Sequence, residues 1–157
     1  KKFKRIKDAL YLAVTTRFEI VLRVENFMTN TPAGNLVRAF GDAAKMAELY
    51  ADNVRWELPA GSGLPALSGK DAVVAFNEEV WSVHYRPDCR VEIHDELQDG
   101  QRSAVRFTYH AFSNHAQRPY TNEYTVFVRS GDDGIEEIFE SFDTVVSMTL
   151  HQASAEV

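Results

Sequence analysis

Residues 88–147, DCRVEIHDELQDGQRSAVRFTYHAFSNHAQRPYTNEYTVFVRSGDDGIEEIFESFDTVVS, decide how this chain folds. They divide into four strand-like runs, 88–98, 102–113, 119–129 and 135–147, rich in β-branched and aromatic residues. Asp99-Gly100 separates the first two runs. Asp-Gly marks a tight hairpin because glycine reaches the positive φ that such turns need. Gly131-Asp132-Asp133-Gly134 joins the last two runs in the same way. The four runs therefore read as a long antiparallel meander.

Working back from the meander, the residues turn helical. Ser68 to Tyr85 reads as a helix with Val73, Val74, Phe76, Val80 and Trp81 on its inward side. Ala60 to Leu67 is a Gly/Pro loop, and Pro59 stops a short strand in which Val54, Trp56 and Leu58 alternate with Arg55 and Glu57. Asp42 is placed to cap a helix carrying Ala43, Met46, Ala47 and Tyr50. Thr31-Pro32 opens an earlier one that ends at Gly41. Helices followed by a meander define an α+β chain.

The 157 residues suffice for one domain with a sizeable core, and 45% apolar with 25% charged residues is a globular balance. A net charge of −6 argues against a nucleic-acid surface. No run of eighteen apolar residues is present, so no membrane-spanning helix is expected. Cys89 has no second cysteine to pair with, which suits a reducing, cytoplasmic setting. Residues 1–27 stand apart, with seven Lys/Arg against three Asp/Glu, a net of +4 that leaves −10 for the remainder. They read as an extension, a targeting segment or an extra element of the fold, the extension being favoured. Deleting them is then expected to leave the thermal midpoint nearly unchanged. The domain is expected over 28–150, with 151–157 as a tail.

Four stretches resemble the SnoaL-like, ketosteroid-isomerase-like branch of the NTF2-like superfamily. Ala47-Glu48-Leu49-Tyr50-Ala51-Asp52-Asn53-Val54 is similar to that family's second helix running into its first strand. Leu67-Ser68-Gly69-Lys70-Asp71-Ala72 is similar to the start of its third helix. Tyr120-Thr121-Asn122-Glu123-Tyr124 resembles a family strand, and Glu140-Ser141-Phe142-Asp143-Thr144 resembles its terminal strand. Val80-Trp81-Ser82 with Pro87-Asp88 and Glu140 is also similar to the phenazine-biosynthesis A/B proteins. The resemblance implies a cone, with a curved antiparallel sheet wrapped around N-terminal helices and an internal pocket. It also implies a homodimer packed through the outer face of the sheet.

In such proteins the acidic position of the last strand faces the pocket. Alternation then sends Ile138, Glu140 and Phe142 inward. A carboxylate in an apolar pocket has a raised pKa and suits acid/base work near neutrality. Strand 102–113 has an apolar row, Val105, Phe107, Tyr109 and Ala111, and a polar row, Arg106, Thr108 and His110. The apolar row faces either the core or a partner subunit. The polar row lines the pocket in the second case and water in the first. The pocket and partner arrangement is the one carried forward: Glu140 as acid/base, His110 as its partner and Arg106 as electrostatic stabiliser. Arg106 matches a pocket arginine of limonene-epoxide hydrolases. Thr108 stands where they have an aspartate, which leaves their water-activating trio incomplete. Leu58 stands where steroid isomerases of this fold carry their base. Trp56, Leu58, Phe76, Trp81, Thr108, Asn122, Tyr124, Ile138 and Phe142 are expected to shape a binding site for an apolar small molecule.

No Cys–Cys or His-Glu-x-x-His pattern is present, and neither a metal nor a cofactor is expected. Glu78, Glu79 and His84, near the end of helix 68–85, are further candidates to reach the pocket. The chemistry these residues suggest is isomerisation, cyclisation or dehydration of an apolar carbonyl compound in secondary metabolism. A non-catalytic ligand-binding or dimerisation module is the alternative.

Overall fold

The computed structural model describes residues 30–152. The expected 1–27 extension therefore lies outside the described residues. Helix α1 is Pro32–Arg38, and Thr31 caps it by accepting a hydrogen bond from the Gly34 amide. Ala33, Leu36 and Val37 are its buried side. Helix α2 is Ala43–Ala47, capped by Asp42, which accepts from the Lys45 amide at 3.1 Å. Tyr50, expected on that helix, instead opens strand β1, Tyr50–Glu57. A short β2, Leu67–Ser68, precedes helix α3, Lys70–Glu79. That helix does not run on regularly to Tyr85. Val80–His84 widen into a π-helical turn, closed by a hydrogen bond from the Tyr85 amide to the Val80 carbonyl at 2.9 Å.

The meander is β3, Arg90–Asp99; β4, Arg102–Ser113; β5, Arg118–Gly131; and β6, Gly134–Phe142. All three junctions are antiparallel, and β4 pairs with β5 from Arg102–Arg129 to Ser113–Arg118. The curved six-stranded sheet has the order β2-β1-β6-β5-β4-β3. It is not wholly antiparallel, because β1 runs parallel to β6, with Trp56 opposite Ile138. Hairpin signals set the direction of each strand relative to the one before it. They say nothing about β1, which is linked to the meander along the chain only through the helical connection.

Two expectations fail here. The run 135–147 is not one strand. Phe142 ends β6, and Asp143 accepts from the Val145 and Val146 amides at 2.9 and 3.2 Å, starting helix α4, Thr144–Gln152. The β-branched Thr144-Val145-Val146 mimics a strand, yet a side-chain cap outweighs so weak a propensity. The apolar row of β4 is the core and is not an outward surface: Val105, Phe107 and Tyr109 are all buried. They join Val54, Trp56, Val126, Val128, Ile135 and Ile138 in a single cluster with α1, α2 and α3.

Candidate active site

A cavity of about 520 Å³ opens between the inner face of the sheet, α3 with its π turn, the 58–67 segment and α4. Its size suits a small organic ligand. Glu140 lies in its wall, 7% exposed, and its Oε2 accepts a hydrogen bond from Trp56 Nε1 at 3.0 Å. Burial pushes the carboxyl up to about 7, against the opposing pull of the Trp56 hydrogen bond. At neutral pH it is thus poised between acid and base.

Phenols surround the carboxyl. Tyr120 and Tyr124 share a hydrogen bond at 2.9 Å, and Asn122 Nδ2 donates both to Tyr120 Oη at 2.8 Å and to the Asp143 carbonyl at 2.9 Å. Trp81 Nε1 donates to Tyr109 Oη at 3.0 Å. Tyr85 stacks on Tyr120 with centroids 5.4 Å apart, and Tyr124 packs on Phe142 at 4.9 Å. Burial raises the Tyr85, Tyr109 and Tyr124 hydroxyls well above the ordinary phenol range, so they stay neutral and keep a hydrogen to donate.

The expected site divides in two. Trp56, Leu58, Phe76, Trp81, Tyr124, Glu140 and Phe142 all line the cavity. Ile138 is in the core, and Asn122 acts from behind by fixing Tyr120 and the start of α4. Arg106, Thr108 and His110 lie on the other side of the sheet and are not brought to Glu140. Arg106 bonds Asp95 at 2.8 Å and Glu123 at 3.0 Å. Thr108 meets His94 Nε2 at 2.7 Å, and His110 Nδ1 meets Thr121 Oγ1 at 3.2 Å. Alternation separates the two rows of β4 correctly. The inward row is the one whose burial gains most, and that is the apolar one.

Tyr109 was missed because its row was turned outward, and Tyr85 because it closes the run read as helix 68–85 and was not counted on its inward side. Thr144, Ser147 and Met148 on α4 also line the cavity, where a strand was expected. Of the acidic pair on α3, Glu79 reaches the cavity rim together with His84. Glu57 points away and pairs with Arg55. Among the described residues, no group of three or more His, Cys, Asp or Glu is placed to hold a metal ion. Nor is any described helix long and apolar enough to cross a membrane.

A curved mixed sheet closing on helices around an internal cavity is the architecture of the NTF2-like cone. The chain belongs to the SnoaL-like domain family, whose model matches residues 36–140, from α1 through Glu140. No curated protein matches it. Among solved structures it is similar to a proposed isomerase from Rhodopseudomonas palustris, with 17% identity, TM-score 0.67, and 80% of this chain and 98% of that one covered. A proposed SnoaL-like polyketide cyclase from Jannaschia is 15% identical, with TM-score 0.64 over 80% of this chain and 93% of the other. TerC, co-crystallised with polyporic acid, is 18% identical, with TM-score 0.64 over 78% and 99%.

Proposed function

We propose that this protein catalyses proton transfer on an apolar carbonyl compound of secondary metabolism, with Glu140 as the acid/base. The observation that carries this reading is the Glu140 carboxyl, buried in the wall of an aromatic cavity and held near pKa 7 by that burial. As carboxylate, Glu140 removes a proton from the carbon beside the carbonyl. The resulting enolate oxygen takes hydrogen bonds from neutral phenols, the service first assigned to Arg106. The proton then returns to another carbon in isomerisation. In cyclisation the enolate carbon attacks a second carbonyl, and in dehydration a β-hydroxyl leaves as water. A carboxyl group and hydroxyl donors suffice for each of these steps. Family membership supports the reading, as do fold neighbours described as a proposed isomerase and a proposed polyketide cyclase.

The test uses 2-tetralone, a bicyclic ketone with acidic α-hydrogens, in D2O. Wild-type protein should accelerate deuterium uptake at the α-carbon, read by proton NMR. Glu140→Gln, which keeps the shape and loses the ionisable proton, should slow uptake by roughly 100-fold or more while binding the ketone about equally. Binding without exchange in the wild type would leave a ligand-binding module.

For assembly we propose a homodimer through the outer face of β5 and β6, since the β4 row first expected there is core. That face exposes Phe127 and Phe139, 51% and 45%, with ring centroids 6.3 Å apart. Arg55, Arg102 and Arg129 stand beside Glu57 and Glu137 around them, so the patch can meet its own copy with opposite charges aligned.

A further inference from the structure

The cavity's chemistry rests on a buried carboxyl, and a buried carboxyl needs a route by which protons arrive and leave. Of the ionisable side chains that line the cavity, Glu140, Tyr85, Tyr109 and Tyr124 are largely enclosed, while Glu79 and His84 stand at its rim. His84 does not stand there by itself. Its Nδ1 is 3.0 Å from Nε2 of His115, and its Nε2 is 3.7 Å from Oε1 of Glu79. The two imidazole centroids are 5.1 Å apart. His115 is exposed, on the turn between β4 and β5.

Backbone hydrogen bonds hold the rings at this distance. The Asn114 amide donates to the His84 carbonyl at 2.9 Å, and Asn114 Nδ2 donates to the Val83 carbonyl at 3.1 Å. The Arg86 amide donates to the Phe112 carbonyl at 3.1 Å, and Tyr85 bridges to Ser113. The π turn sets the angle of His84, because a wider turn rotates everything after it relative to a regular helix. Such turns recur at functional sites.

Accordingly, we propose that His84 and His115 form a proton relay from solvent into the cavity. This rests on the reading of the cavity as a proton-transfer site. The step balances as follows. In the singly charged pair, His115 carries hydrogens on both ring nitrogens, and His84 carries one on Nε2. His84 passes its Nε2 hydrogen to a ligand oxygen while its Nδ1 receives the Nε2 hydrogen of His115. Both rings end neutral with their hydrogens on Nδ1, so the pair recharges when the ligand returns a proton through His84 Nε2 or when the exposed His115 ring turns its Nε2 to water. The reverse sequence exports a proton. His84 is thus a catalytic residue.

The experiment follows 2-tetralone exchange in D2O with wild type, Glu140→Gln and His115→Ala, each with and without imidazole buffer. His115 is an exposed turn residue, so its removal leaves the fold intact. His115→Ala should exchange on the order of 10-fold more slowly at similar KM, and the rate should recover in proportion to added imidazole, a mobile proton carrier. Glu140→Gln should stay slow at every imidazole concentration. A His115→Ala variant that exchanges at the wild-type rate, or that imidazole does not rescue, overturns the relay while leaving the role of Glu140 intact. Should the wild type not exchange the ketone, the role of Glu140 falls, and NMR of histidine-labelled protein decides the relay independently. One hydrogen shared between His84 Nδ1 and His115 Nε2, and lost in His115→Ala, supports it; rings that share none overturn it.

Discussion

Glu140 links activity to stability with opposite signs. Its folded pKa, about 7, lies above the ordinary glutamate value of 4.5. A raised carboxyl contributes stability that is fully present below 4.5 and is lost as pH rises through 7. Above neutrality the folded protein carries a buried carboxylate, at a cost of about 3 kcal/mol. Glu140→Gln should therefore raise the unfolding midpoint above neutral pH and change it little under acid conditions, as calorimetry across pH would read. A variant no more stable than wild type at alkaline pH would mean that the carboxyl is not raised. Trp56→Phe removes the one donor on Oε2 and should move the exchange-rate pH midpoint further upward. At this scale the sequence was half legible. Alternation placed Glu140, Trp56 and Phe142 together once one strand was oriented by resemblance. The same alternation could not say which row of β4 faced in, and so Arg106 and His110 were assigned to a cavity they never meet.

Among the elements, α4 is the one that periodicity concealed. Asp143 ends β6 and begins the helix that roofs the cavity with Thr144, Ser147 and Met148. Asp143→Ala removes both cap hydrogen bonds and should cost about 1 kcal/mol in urea unfolding. It should also weaken 2-tetralone binding, since a frayed first turn opens the roof; an unchanged affinity would show that α4 does not hold the ligand. The capping pairs at Thr31 and Asp42 were legible because each precedes a helical run. Asp143 was not, because it follows nine residues of strand and precedes β-branched ones. The π turn left no mark either, since Val80, Trp81 and His84 suit a regular helix equally well.

At the scale of the whole molecule, the meander was readable because the first and last of its three turns carry glycine and the middle one, Asn114-His115-Ala116-Gln117, breaks two clear strand runs. The parallel junction of β1 and β6 was not, because it is a long-range pairing without a local signature. The same holds for assembly. If the Phe127–Phe139 face joins two copies, light scattering should give twice the 17.8 kDa chain mass. Phe127→Ser with Phe139→Ser should return it to a single chain with the fold intact. A wild-type protein that stays at one chain mass throughout would leave those two rings as ordinary surface.

The π turn also has a consequence for the history of such sequences. It is one residue longer than the helical turn it replaces, so it can arise or vanish by a single-codon insertion or deletion. Removing Ser82 would restore a regular helix and swing the following residues by about 100° about its axis. The imidazole of His84 would then leave the rim without any change to a cavity-lining residue on the sheet. If His84 carries protons, a chain with Glu140 and a regular helix here would lack that route, and an alignment that absorbs the extra residue as a gap in a loop would hide the difference.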